Sequence, residues 1–200
     1  GVLGNNSTGS GSNPPIKIGN SSWSQVSAGG AHVLAIDSDG YLWGWGLNSS
    51  GQIRSDTAFS WIAVSTGNNY STAIRQDGKL YAWGYNFYGN LGDNTTILRS
   101  SPTQIGSLSW IFINAGSLRT GGIATNNKLY VWGRGVSYAN GTGNLSDQLS
   151  PMMIIWPKSF VSVSSGDSFG IAVSSDFNLY RWGTGQAALG LSGVTGYETA

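Results

Sequence analysis

An all-β fold is predicted for this chain: a β-propeller of repeats about 50 residues long, with four blades or part-blades present. Three observations predict it. Four segments of equal length align without gaps: Trp23 to Gly46, Trp61 to Gly84, Trp110 to Gly133 and Phe160 to Gly183. Each reads as short apolar runs separated by turn signals rather than as a helical stripe. All length variation falls between the segments, in the stretches from Gly46 to Trp61, Gly84 to Trp110 and Gly133 to Phe160. A unit of fixed length with elastic connectors is what a packed supersecondary module requires.

The first element of each unit opens on an aromatic at a constant distance before a Gly: Gly29, Gly67, Gly116 and Gly166. The second is a short β-rich run, such as "VLAI", "STAI" or "GIAV". A turn follows. Asp39-Gly40 and Asp77-Gly78 read as two-residue type I′ hairpins, which need positive φ at both central residues. Asn126-Asn127 can take the same form, whereas Asp176-Phe177 fits it poorly and predicts a different fourth turn. The third element ends in Trp-Gly, with Trp45, Trp83, Trp132 and Trp182 all at one fixed distance from the unit's first Gly. A Trp repeated at one register position is a core wedge between neighbouring blades, since a binding Trp has no reason to recur at each. A fourth, outer strand is predicted at Pro-x-x-Ile in Pro15 to Ile18, Pro102 to Ile105 and Pro151 to Ile154, with Pro where no ladder donor is needed.

The order of these motifs resembles the regulator of chromosome condensation repeat family. The shared pattern is Trp, Gly, Asp-Gly, Leu-Tyr-x-Trp-Gly, Asn-x-x-Gly-x-Leu-Gly and Pro-x-x-Ile. The fullest copy runs from Trp61 to Ile105, with Asn86, Gly89, Leu91 and Gly92 in its tail. The tails after Gly46 and Gly133 depart from the pattern. The resemblance implies a propeller of usually seven four-stranded blades, in a version like those of bacteria and phages. The expected division is 1–22 as the tail of a preceding repeat, then repeats at 23–60, 61–109 and 110–159, and an incomplete one at 160–200. Together they form one partial propeller. Gly1 to Gly4 and Leu189-Gly190 match the tail at Gly89 to Gly92, so residues 1–200 are expected to belong to a longer ring, or to one that another chain completes.

Composition narrows the function. Only 10% of residues are charged, against roughly 25% in ordinary soluble domains. The net charge of +1 and the dispersed basic residues give no field for nucleic acid or an anionic membrane. With no Cys there is no disulfide, thiolate metal site or Cys nucleophile. No apolar run is long enough for membrane insertion. The single His32 shares its repeat slot with Tyr70, Arg119 and Phe169, which points to structure rather than catalysis. "DSDG" at Asp37 to Gly40 hints at calcium, but no acidic residue closes such a loop, and the turn reading is stronger. Asn20, Asn48, Asn69 and Asn94 head glycosylation sequons that an Asn- and Ser-rich chain produces by chance.

No catalytic, cofactor or metal constellation is therefore expected. The candidate partner contacts are Tyr88, Arg99, Tyr138 and Trp156, which lie off the repeat pattern in the connectors 47–60, 85–109 and 134–159. Packing of each onto its own blade is the competing reading. The expected function is a non-enzymatic structural or binding propeller, a virion or cell-surface component contacting proteins or further blades. The alternative is a guanine-nucleotide exchange or chromatin-associated regulator like the family's eponym, which would need charged face loops and a basic tail.

Overall fold

The computed structural model describes residues 1, 3–4, 15 and 17–184. Blade one holds β1 (Trp23–Ala28), β2 (His32–Asp37) and β3 (Leu42–Gly46), and an isolated bridge pairs Leu42 with Asp56. Blade two follows with β4 (Trp61–Thr66), β5 (Tyr70–Arg75) and β6 (Lys79–Gly84), and then comes β7 (Arg99–Ala115). Next are β8 (Arg119–Ala124), β9 (Leu129–Gly133) and β10 (Gln148–Met153). Blade four is β11 (Phe160–Ser165), β12 (Phe169–Ser174) and β13 (Leu179–Gly183). Every pairing is antiparallel.

The long strand β7 serves two blades. Its first part pairs with β6, from Gly84↔Arg99 to Lys79↔Ser109. Its second part pairs with β8, from Trp110↔Ala124 to Ala115↔Thr120. It is thus the outer strand of blade two and the inner strand of blade three, and this fuses the two into one seven-stranded sheet. Pro102 lies in β7 and Pro151 in β10, as outer strands permit. Pro15, Lys17 and Ile18 lie in no strand, and Ile16 is outside the described residues.

The core is three apolar clusters, each sandwiched between successive blades. Leu34, Ile36 and Leu42 of blade one meet Trp61, Val64, Ala73 and Trp83 of blade two. Tyr70, Ile74 and Leu80 meet Trp110, Ile113 and Trp132. Ile123, Leu129 and Val131 meet Phe160, Val163 and Ala172. A bulge explains this: the register shifts after the first residue of each inner strand and brings its first and fourth residues onto one face, which in Trp61 and Val64, Trp110 and Ile113, and Phe160 and Val163 meets the preceding blade. Trp83 and Trp132 are fully buried wedges, and a connector closes over each such tryptophan. A Cβ at Gly92 would fall 2.6 Å from Trp132 Nε1, and one at Gly4 would fall 2.8 Å from Trp45 Nε1. Only glycine lets the connector lie that close.

The hairpin turns correct the sequence reading. In each, a backbone bond closes the turn: Gly40 N to Asp37 O, Gly78 N to Arg75 O, Asn127 N to Ala124 O, and Phe177 N to Ser174 O. Only the last residue of each turn has positive φ: 86° at Gly40, 78° at Gly78, 59° at Asn127 and 63° at Phe177. The type I′ assignment therefore fails, because Asp39 and Asp77 keep ordinary backbone. The loop is longer by one position, a tight turn followed by a single left-handed residue. The fourth turn is also the same as the others, with Phe177 bearing the strain that Gly40 and Gly78 avoid.

Candidate functional site

Much of the polar chemistry in the units is spent joining blades. The fifth residue of one inner strand accepts a hydrogen bond from the sixth N–H of the next. Thr66 N donates to Ser27 Oγ at 3.0 Å, Ala115 N to Ser65 Oγ at 2.8 Å, and Ser165 N to Asn114 Oδ1 at 2.6 Å. The connectors add a second link. The carbonyl of Gln52 accepts Trp83 Nε1 at 2.9 Å and Ser71 Oγ at 2.8 Å, while that of Ala139 accepts Trp182 Nε1 at 2.8 Å.

The slot that holds His32 is a third link. His32 Nε2 and Ser71 Oγ are 2.9 Å apart across the first joint. Ser71 donates its hydroxyl proton to Gln52 O, so Nε2 carries the proton and Nδ1 is a buried lone pair with no partner. Burial pushes the His32 pKa down, partly opposed by a backbone contact to Tyr70. Tyr70 Oη donates to Arg119 O at 2.6 Å across the second joint, and burial pushes its phenol far up. Arg119 is 2% exposed, and its Nη1 reaches Gly166 O at 3.0 Å and also Asp167 O across the third. Burial lowers the Arg119 pKa.

The Asp37 carboxylate serves its own turn. Its carboxylate accepts the Asp39 and Tyr41 N–H groups and Trp43 Nε1, the last at 2.7 Å. Burial acts upward on it, yet these bonds hold it below the usual range. Among the described residues no group of three His, Asp or Glu could hold a metal. No described helix is long and apolar enough to cross a membrane. The inner turns at Gly29, Gly67 and Gly116 rim a shallow depression whose lining offers only small groups such as Thr66, Asn68 and Ser117.

The exposed chemistry lies in the connectors. In 85–98 the buried Asn86 is the hub. It accepts Leu91 N at 2.9 Å and donates to Asp93 Oδ1 at 3.0 Å, Thr95 O at 3.0 Å and Ile97 O at 3.1 Å. Burial would raise Asp93, but bonds from Thr95, Arg99 and Asn86 outweigh it and lower its pKa. Arg99 is thereby committed to its own connector, with Nε 2.7 Å from Asp93 Oδ2. Tyr88 is half-buried under the Arg134 guanidinium, 4.8 Å from the ring centroid. Tyr138 is half-exposed at φ 56°, next to Ser137 at φ 64°. Trp156 packs edge-on against Tyr180 at 5.8 Å and borders the third cluster. The four candidates do not form one site, although Tyr88 joins a patch with two residues that sequence reasoning passed over, Phe87 and Arg134. Neither falls on the repeat pattern, and only Arg134 directly follows a Trp-Gly pair, so no signal along the sequence joined them to Tyr88.

The sequence matches the Regulator of chromosome condensation (RCC1) repeat over residues 23–52, 61–90, 77–117 and 126–173. Among solved structures it is similar to human WBSCR16, with 20% identity and a TM-score of 0.76 over 82% of this chain and 47% of that one. Prp20p of Saccharomyces cerevisiae, whose binding to Gsp1p and histones is described with its structure, gives 21% identity and a TM-score of 0.70 over 85% and 47%. The ectodomain of the Physcomitrella patens receptor kinase CR4 gives 19% and 0.62 over 88% and 46%. This chain spans about half the length of each. At such identity the likeness shows the fold alone. No curated protein matches.

Proposed function

The chain belongs to the regulator of chromosome condensation (RCC1) repeat family, and on that premise we propose that it is a non-enzymatic binding propeller that engages protein partners through its connectors. The observation that carries this is a division of labour. The polar groups Ser27, Ser65 and Asn114, at one position of the first three units, are consumed at the joints between blades, while the irregular connectors hold exposed aromatics on hydrogen-bonded loops, such as Phe87 at 64% exposure. Further blades, of this chain or another, are a second class of partner. Trp23 and Val26 occupy the positions of the buried Trp61 and Val64, yet are 40% and 69% exposed. A virion or cell-surface setting is favoured by the low charge and the Ser, Asn and Gly richness.

The test is cross-linking in extracts of the native source, with linked residues mapped by mass spectrometry. Links to partners are expected within the loop parts of the connectors, 47–60, 85–98, 134–147 and 154–159, since β7 and β10 occupy the rest of those stretches. Links confined to the strands would overturn the proposal. The competing role, a regulator like Prp20p with its binding to Gsp1p and histones, predicts instead that the protein speeds guanine-nucleotide release from a small GTPase.

A further inference from the structure

We propose that Tyr85, Phe87, Tyr88 and Arg134 form a docking surface for a partner-protein segment carrying a carboxylate beside an apolar side chain. This rests on the binding reading above and names its surface and partner. The Tyr85 and Phe87 rings stack at 6.4 Å with 24° between planes, and Phe87 meets Tyr88 edge-on at 5.2 Å. Arg134, from the connector after β9, lies over the Tyr88 ring at 4.8 Å. Two connectors, from successive blades, thus build one continuous patch.

The patch is held in place before any partner arrives. Asn86, between Tyr85 and Phe87 in sequence, is buried and anchors the loop by its bonds to Leu91, Asp93, Thr95 and Ile97. A rigid aromatic platform loses little conformational freedom on binding, so more of its burial appears as affinity. Phe87 supplies the apolar shelf, and aromatic and Arg residues are the side chains over-represented at binding hot spots.

Charge selects the partner. Arg75 is paired with Asp77, Arg99 with Asp93, and Arg119 with backbone carbonyls. The Arg134 guanidinium makes no hydrogen bond or ion pair among the described residues, and its Nε is buried without a partner. The nearby Asp147 has its Oδ1 occupied by Gly135 N at 2.7 Å. A guanidinium already half-desolvated on an aromatic face is completed by a carboxylate, in a charge-assisted bond stronger than a neutral one.

The experiment is an array of short peptides spanning acidic to basic net charge, each with and without a central Leu or Phe, probed with the protein and with Arg134→Gln and Phe87→Ser. Retention should favour acidic peptides with the apolar residue. Arg134→Gln should abolish the preference for acid, and Phe87→Ser should lower retention of the apolar set by about tenfold. Phe87 is exposed and the half-buried Arg134 side chain has no hydrogen bond among the described residues to lose, so both variants should keep a cooperative thermal transition near that of the parent. Retention independent of peptide charge, or unchanged in both variants, overturns the proposal. The two readings fail separately: a partner cross-linked within 47–60 and indifferent to Phe87→Ser leaves the binding function standing and removes this surface.

Discussion

Replacing Trp83 with Ala should be among the most damaging single changes in the chain. The side chain is fully buried between blades one and two, 6.4 Å from Trp61 and in the cluster of Leu34, Ile36 and Leu42. Truncating a buried aromatic costs about 3–5 kcal/mol. Its indole N–H also leaves Gln52 O, but that carbonyl keeps the Ser71 hydroxyl at 2.8 Å. The further ~1–3 kcal/mol for an orphaned acceptor therefore does not apply. Against a total stability of roughly 5–15 kcal/mol, the loss leaves a marginal fold. Trp156 is only half-buried and makes one edge-on contact with Tyr180, so Trp156→Ala should cost about 1–2 kcal/mol. Urea titrations followed by far-UV circular dichroism measure both. Equal losses in the two variants would refute the assignment of Trp83 to the joint and Trp156 to its border.

Three further outcomes are expected. His32 has a depressed folded pKa, so the unfolded chain takes up its proton first, and stability should fall as pH drops below the ordinary His value of about 6.5. His32→Phe, the residue that Phe169 shows in the same slot, should flatten that part of a pH series of thermal midpoints; an unchanged slope contradicts the buried neutral imidazole. Phe177→Gly should stabilise by about 1 kcal/mol by relieving its positive φ, and a loss in the same titration would show that the ring contributes packing. Residues 1–200 expressed alone should self-associate through the exposed Trp23 and Val26 face, read by light scattering. A monodisperse monomer that unfolds cooperatively would contradict this.

The units were legible because a blade joint tolerates no length change. Trp83 and Trp132 must meet the preceding blade at one register, and a unit of constant length delivers them there. The turn type was misread for a local reason. Asp-Gly signals positive φ, but does not say whether one residue or two carry it, and Phe177 shows that the geometry is imposed by the strands rather than by the turn residues. Ser27, Ser65 and Asn114 carry no signal in the sequence, and their role appears only when a neighbouring strand brings an N–H to each. The Tyr88–Arg134 contact joins residues from two connectors with no period in common, so nothing along the chain foretold it.

Side chains repeated in each unit lock blade to blade and leave the connectors as the working surface. Residue-resolved hydrogen exchange of the amides of Thr66, Ala115 and Ser165 tests this most directly, since each donates to a side-chain oxygen of the preceding blade. These amides should exchange as slowly as the central strand amides of β5 and β8, and Ser65→Ala should release Ala115 alone. Exchange of all three at the rate of open loops would contradict the blade-to-blade lock.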